Sequence, residues 1–327
     1  MRKNCKTSGR WLLWLIVLVA AGAPLLAQSA QPPVPESHRG FFVHFADQRG
    51  RIEKALNAVG LTNQVLGRSF ALVAGVSRYP NFPLTDRELK PAGEDLHRLV
   101  VYLRDQEFFD EIVVLRDEQM TYENLKFFLQ GYFPQRVQQF PRSRFLFAYS
   151  GHGMGDERSG YLVTSRAASL TDRYNSLALT VLRDLLEEVV TRGHHVLVLL
   201  NACYGGVFLR RPFGAQALLP QQPGAHAITA GGTRELTWHQ PNIGPGSIFV
   251  EKLFAGLDGR ADVHPERPDG SRGDGVITVD ELSLYLRHEV RVSTDERQNP
   301  LAGDVLPSGS KGGFFFLNRQ RLVKLGL

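Results

Sequence analysis

Cysteine is nearly absent. The 327 residues contain two, Cys5 and Cys203, in segments of different kinds. Once the N-terminal segment described below is removed, Cys203 is alone. A single thiol excludes an intrachain disulfide framework and the cysteine-based zinc clusters. The histidines do not replace them: His44, His97, His226, His239, His264 and His288 have no metal-ligand spacing, and His194 and His195 sit just ahead of an apolar run. No metal site is expected. The phosphate-cradling motifs are missing too, since neither GxxxxGK[ST] nor GxGxxG occurs and Gly75 and Gly93 stand apart from any such pattern. No internal repeat appears, which removes solenoid architectures.

Net charge is also scarce where it would matter. The formal charge is +5, but Arg2, Lys3, Lys6 and Arg10 supply +4 with no acid among the first 30 residues, leaving +1 for the rest. The basic pI is therefore no argument for nucleic-acid binding. Those four residues precede the uncharged run Trp11–Ala23, then Pro24 and the small residues Ala27, Ser29 and Ala30. This is the pattern of a secretory signal over residues 1–30, with cleavage after Ala27 or Ser29. The expectation is export to the periplasm or outside the cell. The alternative is an N-terminal membrane anchor that stays uncleaved. No Cys follows the run, so a lipoprotein is not indicated.

Residues 31–67 read as a proline-rich linker (QPPVPES) and an extension with one helix near Arg51–Val59. Residues 68–320 alternate in type. Apolar strands are expected at SFALVAGV, Glu111–Leu115, Arg144–Ser150, Val196–Asn201, Ala225–Ala230 and Gly313–Leu317, with a short edge strand at Gly160–Val163. Helices are expected at Ala92–Asp105, Thr121–Leu129, Leu179–Arg192, Phe249–Leu257 and Val279–Val290. Such alternation predicts an α/β domain with a mostly parallel sheet covered on both faces. The segment Asp269–Glu281 aligns with a calcium loop only with Gly270 and Arg272 at ligand positions. It reads instead as a turn with Thr278 capping the next helix, so no cofactor is expected and calcium is weakly supported.

Two of the strands deliver chemistry. RFLFAYSGHG ends on His152, and HHVLVLLNACYGG ends on Cys203, each followed by glycine. The C-terminal edge of a parallel sheet is where ligands gather. A thiol and an imidazole delivered there suit nucleophile and base, with an oxyanion hole at the N–H groups of Gly153 and Cys203. The long stretch Gly205–Gly224 follows the Cys directly, and Trp238 is a candidate pocket aromatic.

These residues resemble the caspase-like cysteine peptidases: caspases, metacaspases and bacterial relatives. The resemblance covers about Arg68–Leu317 through YSGHG, NACYGG, ITAGGTRE, GSIFVEKLFAGLDGRAD and DGVITVDELSLYL. It implies a three-layer α/β/α caspase-type sandwich, with His152 as base, Cys203 as nucleophile and Gly153 as an oxyanion donor. The implied activity is that of an exported cysteine endopeptidase, acting on protein or peptide substrates through an acyl-thioester. Asn201 departs from the family pattern, in which metacaspases have Asp and caspases Gln two residues before the Cys. Arg78 and Lys90 are only neighbouring candidates for the arginines that hold aspartate in caspases. The P1 residue is thus open, with a lean to Arg or Lys from Asp156, Glu157 and Asp95 and from Arg210 and Arg211 in the loop. Substrate contacts are expected at Asn201, Asp156 and Glu157. The alternatives are a catalytically silent scaffold module and a transpeptidase or ligase using the same dyad.

Overall fold

The computed structural model describes residues 31–62, 66–156, 158–209, 211–212, 222–232, 235, 244–266, 272–305, 310 and 312–327. In chain order the strands are β1 (Phe42–Phe45), β2 (Ser69–Gly75), β3 (Glu111–Arg116), β4 (Arg144–Ser150), β5 (Gly153–Gly155), β6 (Gly160–Val163), β7 (Ser176–Ala178), β8 (His195–Asn201), β9 (Arg211–Pro212), β10 (Gly224–Thr229), β11 (Val276–Thr278), β12 (Leu301–Asp304) and β13 (Phe315–Leu317). The helices are α1 (Glu36–Arg39), α2 (Arg49–Ala58), α3 (Lys90–Asp105), α4 (Tyr122–Lys126), α5 (Phe133–Gln139), α6 (Leu179–Arg192), α7 (Ile248–Ala255), α8 (Val279–Ser293) and α9 (Arg319–Lys324).

The apolar strands do what their composition demands. β2, β4, β8 and β10 are buried at every position, and they pair in parallel, with β3 parallel on the far side of β2. Antiparallel strands close both edges, giving the order β1-β3-β2-β4-β8-β10-β12-β9 among the described residues. Side chains alternate across the sheet. Phe145, Phe147 and Tyr149 of β4 join a core with α4, α5 and α6, while Leu146 and Ala148 join another with α3, α7 and α8. The result is the three-layer sandwich, in one compact body over Pro32–Leu327.

Several elements differ from the expectation. β1 and β12 lie outside the expected strands: each is only four residues long, and both pair antiparallel toward the ends of the main sheet. Gly313–Leu317 forms a strand outside the main sheet, pairing β13 with β11. β6 belongs to a separate sheet with β5 and β7. The helix from Thr121 begins as expected, with Thr121 Oγ1 accepting the Asn124 N–H at 3.2 Å, but it continues through a π-type turn into α5. Thr278 caps α8 reciprocally with Glu281, as the turn reading of that segment requires.

Sheet register fixes the site. Ser150 of β4 lies opposite Asn201 of β8. His152 and Cys203 therefore leave the same edge, each two residues beyond a matched pair.

Candidate active site

Cys203 stands on a sharp turn between β8 and a 3₁₀ turn at Gly205–Phe208. The turn requires Tyr204 to adopt a left-handed backbone (φ 60°, ψ 15°), a conformation that disfavours side-chain-bearing residues and concentrates at functional sites. The Tyr204 N–H donates to the Glu235 carbonyl at 3.2 Å, holding the turn. Cys203 itself is half-buried and in no disulfide.

Gly153 meets it from the neighbouring strand. The Val163 N–H donates to the His152 carbonyl at 2.9 Å, and the Asp156 N–H to the Ser159 carbonyl at 2.8 Å. With Gly153 opposite Leu162, antiparallel alternation puts Gly153 at a non-hydrogen-bonded position, its N–H turned away from β6. A side chain there is impossible: a Cβ would fall 2.2 Å from the Cys203 carbonyl oxygen and 2.9 Å from its nitrogen. The backbone beside the histidine thus packs directly on the backbone of the cysteine.

His152 is walled by aromatics. Its N–H donates to Tyr79 Oη at 2.8 Å, and its carbonyl accepts from Tyr149 Oη at 3.2 Å. The Tyr79 ring lies 4.8 Å from the imidazole, and the Phe82 ring stacks nearly parallel to it at 6.1 Å. Burial holds the imidazole below its ordinary pKa, with the Asp86 charge opposing. The histidine is accordingly kept neutral, the state a base needs.

The other face of the sheet carries a carboxylate. Asp95 of α3 is 2 % exposed. Its Oδ2 accepts from Ser150 Oγ at 2.9 Å and from Asn201 Nδ2 at 2.9 Å, and its Oδ1 from the Ser247 N–H at 3.0 Å. Asn201 Nδ2 also donates to Ser247 Oγ at 2.8 Å, while Asn201 Oδ1 has no partner among the described residues. Burial pushes the Asp95 carboxyl up to about 6, against the pull of these donors. A cavity of about 20 Å³, room for about one water, lies here between Asp95, Ser150, Asn201, Leu96, Leu199 and Phe249.

Not every residue singled out from sequence comes to this place. Asp156 sits on the exposed turn between β5 and β6, where its Oδ1 accepts the Arg158 and Ser159 N–H groups and its Oδ2 pairs with Arg173 at 3.3 Å. Glu157, Arg210 and Trp238 lie outside the described residues, as does most of the Gly205–Gly224 stretch beyond Leu209. Arg78 pairs with Asp117, and Lys90 is exposed beside Glu88. Among the described residues, no cluster of three His, Cys, Asp or Glu side chains is placed to hold a metal.

Sequence reasoning passed over Tyr79, Phe82, Ser150 and Ser247, and counted Asp95 among the acids behind the lean to a basic P1 residue without placing it in the site. A signal for Asp95 was present: it falls on the stripe of Ala92, Leu96, Leu99 and Leu103, where a lone carboxylate is out of place unless partnered.

The comparisons with known proteins follow this geometry. A family model described as the caspase domain matches residues 68–301. Caspase-1 from Spodoptera frugiperda is similar in structure at 14 % identity and TM-score 0.48, over 73 % of this chain and 89 % of that one. A Geobacter sulfurreducens protein is similar at 12 % identity and TM-score 0.44, over 76 % and 92 %. No curated protein matches the chain. The family is one of cysteine peptidases that act on protein substrates, and its model spans well over half of the sequence: this chain belongs to the caspase domain family.

Proposed function

We propose that the protein is an exported cysteine endopeptidase that uses a His152–Cys203 dyad and cleaves after arginine or lysine. The observation that carries the dyad is the register of β4 on β8, with Gly153 packed on Cys203. It brings base and thiol to one edge without any further element.

In this reading His152 takes the Cys203 proton, and the thiolate attacks the peptide carbonyl carbon. The N–H groups of Gly153 and Cys203 receive the oxyanion; loss of one such donor raises a barrier by about 3 kcal/mol. The imidazolium returns its proton to the leaving amine. Water, deprotonated by the same imidazole, then hydrolyses the acyl-thioester. No cofactor enters these steps.

Preference for a basic P1 residue is supported by the acceptor surplus beneath the strand ends. The hydrogen bonds to Asp95 come from two neutral side chains and a backbone N–H. The cation whose charge acts on it, Arg98, is paired with Glu251. Asn201 Oδ1 adds a second acceptor with nothing donating to it among the described residues. A guanidinium or ammonium is the donor both lack; the space beside them has room for about one water, so taking a P1 cation requires the basin to open.

Profiling the full chain on peptide libraries tests this: turnover after Arg or Lys is expected, and turnover confined to Asp would overturn the P1 assignment. Export rests on the basic and then apolar first 30 residues. N-terminal sequencing of the secreted protein is expected to begin just after Ala27 or Ser29, whereas an intact N-terminus would contradict it.

A further inference from the structure

The aromatic wall around His152 is more than packing. We propose that Tyr79 and Phe82 are positioning residues that set the orientation and the hydration of the His152 imidazole; the assignment rests on the dyad reading above.

Tyr79 fills a gap in a ladder. At the His152/Val163 position of the β5–β6 pairing, the Val163 N–H reaches the His152 carbonyl, but the reciprocal bond is missing. The His152 N–H goes to Tyr79 Oη instead, and Tyr149 Oη donates to the Val163 carbonyl at 3.2 Å. Two tyrosine hydroxyls thus replace one backbone bond and re-aim the histidine. Tyr79 Oη in turn donates to the Val76 carbonyl at 3.2 Å. Gly151 makes room for both, since a Cβ there would lie 2.5 Å from Tyr149 Oη and 3.2 Å from Tyr79 Oη.

The segment bearing these rings is itself pinned. Asp117 Oδ1 accepts the Ser77 N–H at 2.8 Å and the Arg78 N–H at 2.9 Å. Tyr79 N–H donates to the Arg87 carbonyl, and Arg87 Nε to the Phe82 carbonyl. Tyr79 and Phe82 are buried and stack on one another at 4.8 Å. Such a wall excludes water from one side of the imidazole. The charged and titratable groups acting on or lying against it are Asp86 on the same segment and the Tyr79 phenol. Asp86 alone raises its pKa, and burial outweighs it.

The two rings make separable predictions. Tyr79→Phe keeps the ring and deletes the acceptor for the His152 N–H. It is expected to lower kcat about tenfold, the size of one lost hydrogen bond, with KM and the pH profile unchanged. Phe82→Leu lets water reach the imidazole, so the His152 titration followed by NMR moves up toward 6.5. That titration is assigned by its loss in His152→Gln and needs no turnover, so it tests the wall even if the protein proves inactive on peptides. Thermal melting checks that both variants fold. An unmoved His152 titration in folded Phe82→Leu, or wild-type kcat in Tyr79→Phe, overturns the proposal. Failure of wild type to cleave any peptide overturns the dyad reading instead.

Discussion

Under the proposed function, Asp95 and His152 divide the pH dependence between capture and chemistry. Burial raises the Asp95 carboxyl to about 6, above the ordinary 3.8. As pH falls through about 6 the carboxylate is protonated, and the hold on a P1 cation that the proposal gives it would be lost. Burial moves His152 the other way, below 6.5, so the base stays competent at pH values where an ordinary histidine would be charged. KM for an arginyl substrate is therefore expected to climb below about pH 6, while the acid limb of kcat lies below that of an ordinary histidine. Asp95→Asn should raise that KM about 100-fold, the loss of one charge-assisted contact of ~2–3 kcal/mol, and abolish its pH dependence. Steady-state kinetics from pH 4.5 to 8 check both; parallel loss of kcat and KM effects at one pKa would contradict the division. At this scale the placement of His152 and Cys203 just beyond the ends of β4 and β8 was legible, because SGHG and NACYGG follow apolar runs. The carboxylate basin was not, since Asp95, Ser150, Asn201 and Ser247 are far apart in sequence and meet only through the register of β4 on β8 and the packing of α3 and α7.

Among the elements, the N-terminal edge of the sheet is the counterpart of the reactive edge, and it is held by buried charge. Arg144 opens β4 with no exposure, pairing with Glu107 at 2.9 Å and donating to the carbonyls of Glu107 and Phe315. Glu107 accepts the Leu317 N–H at 2.8 Å, so the ion pair ties the antiparallel β11–β13 pair to the sheet. Arg144→Ala leaves Glu107 buried without its cation and is expected to lower stability by about 3–5 kcal/mol in denaturant unfolding. Near it, His195 of β8 is fully buried, and neither ring nitrogen has a partner among the described residues. Burial, with the nearby His194, Arg144 and Arg142, depresses its pKa to about 3. A depressed histidine favours the fold above its unfolded pKa of about 6.5. That contribution is lost as pH falls from there toward 3. His195→Phe should therefore flatten the acid limb of stability over this window; an unchanged limb would show that His195 does not set it. Sequence marked β4 and β8 as strands through their apolar runs, but it could not show that Arg144, Glu107 and His195 are interior. Ionisable residues are normally read as surface, and the β11–β13 strand pair, contacting Arg144 and Glu107 through Phe315 and Leu317, makes the difference.

For the whole molecule, the three layers followed from alternating strand and helix patterns, and the edges did not. β1 (Phe42–Phe45), half-exposed at the sheet's edge, and β12 (Leu301–Asp304), which lies between β10 and the two-residue β9, are four-residue strands without the fully buried apolar runs of the central strands. The N-terminal extension gains a role from this. β1 covers the free side of β3, and α2 packs Ile52, Ala55 and Leu56 against Val276, Phe315 and Leu317. Removing residues 31–67 exposes the backbone edge of β3, a template for pairing with other chains. The shortened chain is expected to elute from size exclusion as aggregates, whereas a monodisperse peak would show the extension to be dispensable.

The central claim is that Cys203 is a nucleophile activated by His152 in a site that receives a basic P1 side chain. The most direct measurement is intact-mass and peptide mapping after incubation with an arginyl peptide carrying a thiol-reactive ketone. Wild type should gain one adduct, located on Cys203 and blocked by an arginyl substrate, with none in Cys203→Ala and slow labelling in His152→Ala. A folded wild type that stays unlabelled, or labels equally with His152 removed, would contradict the account.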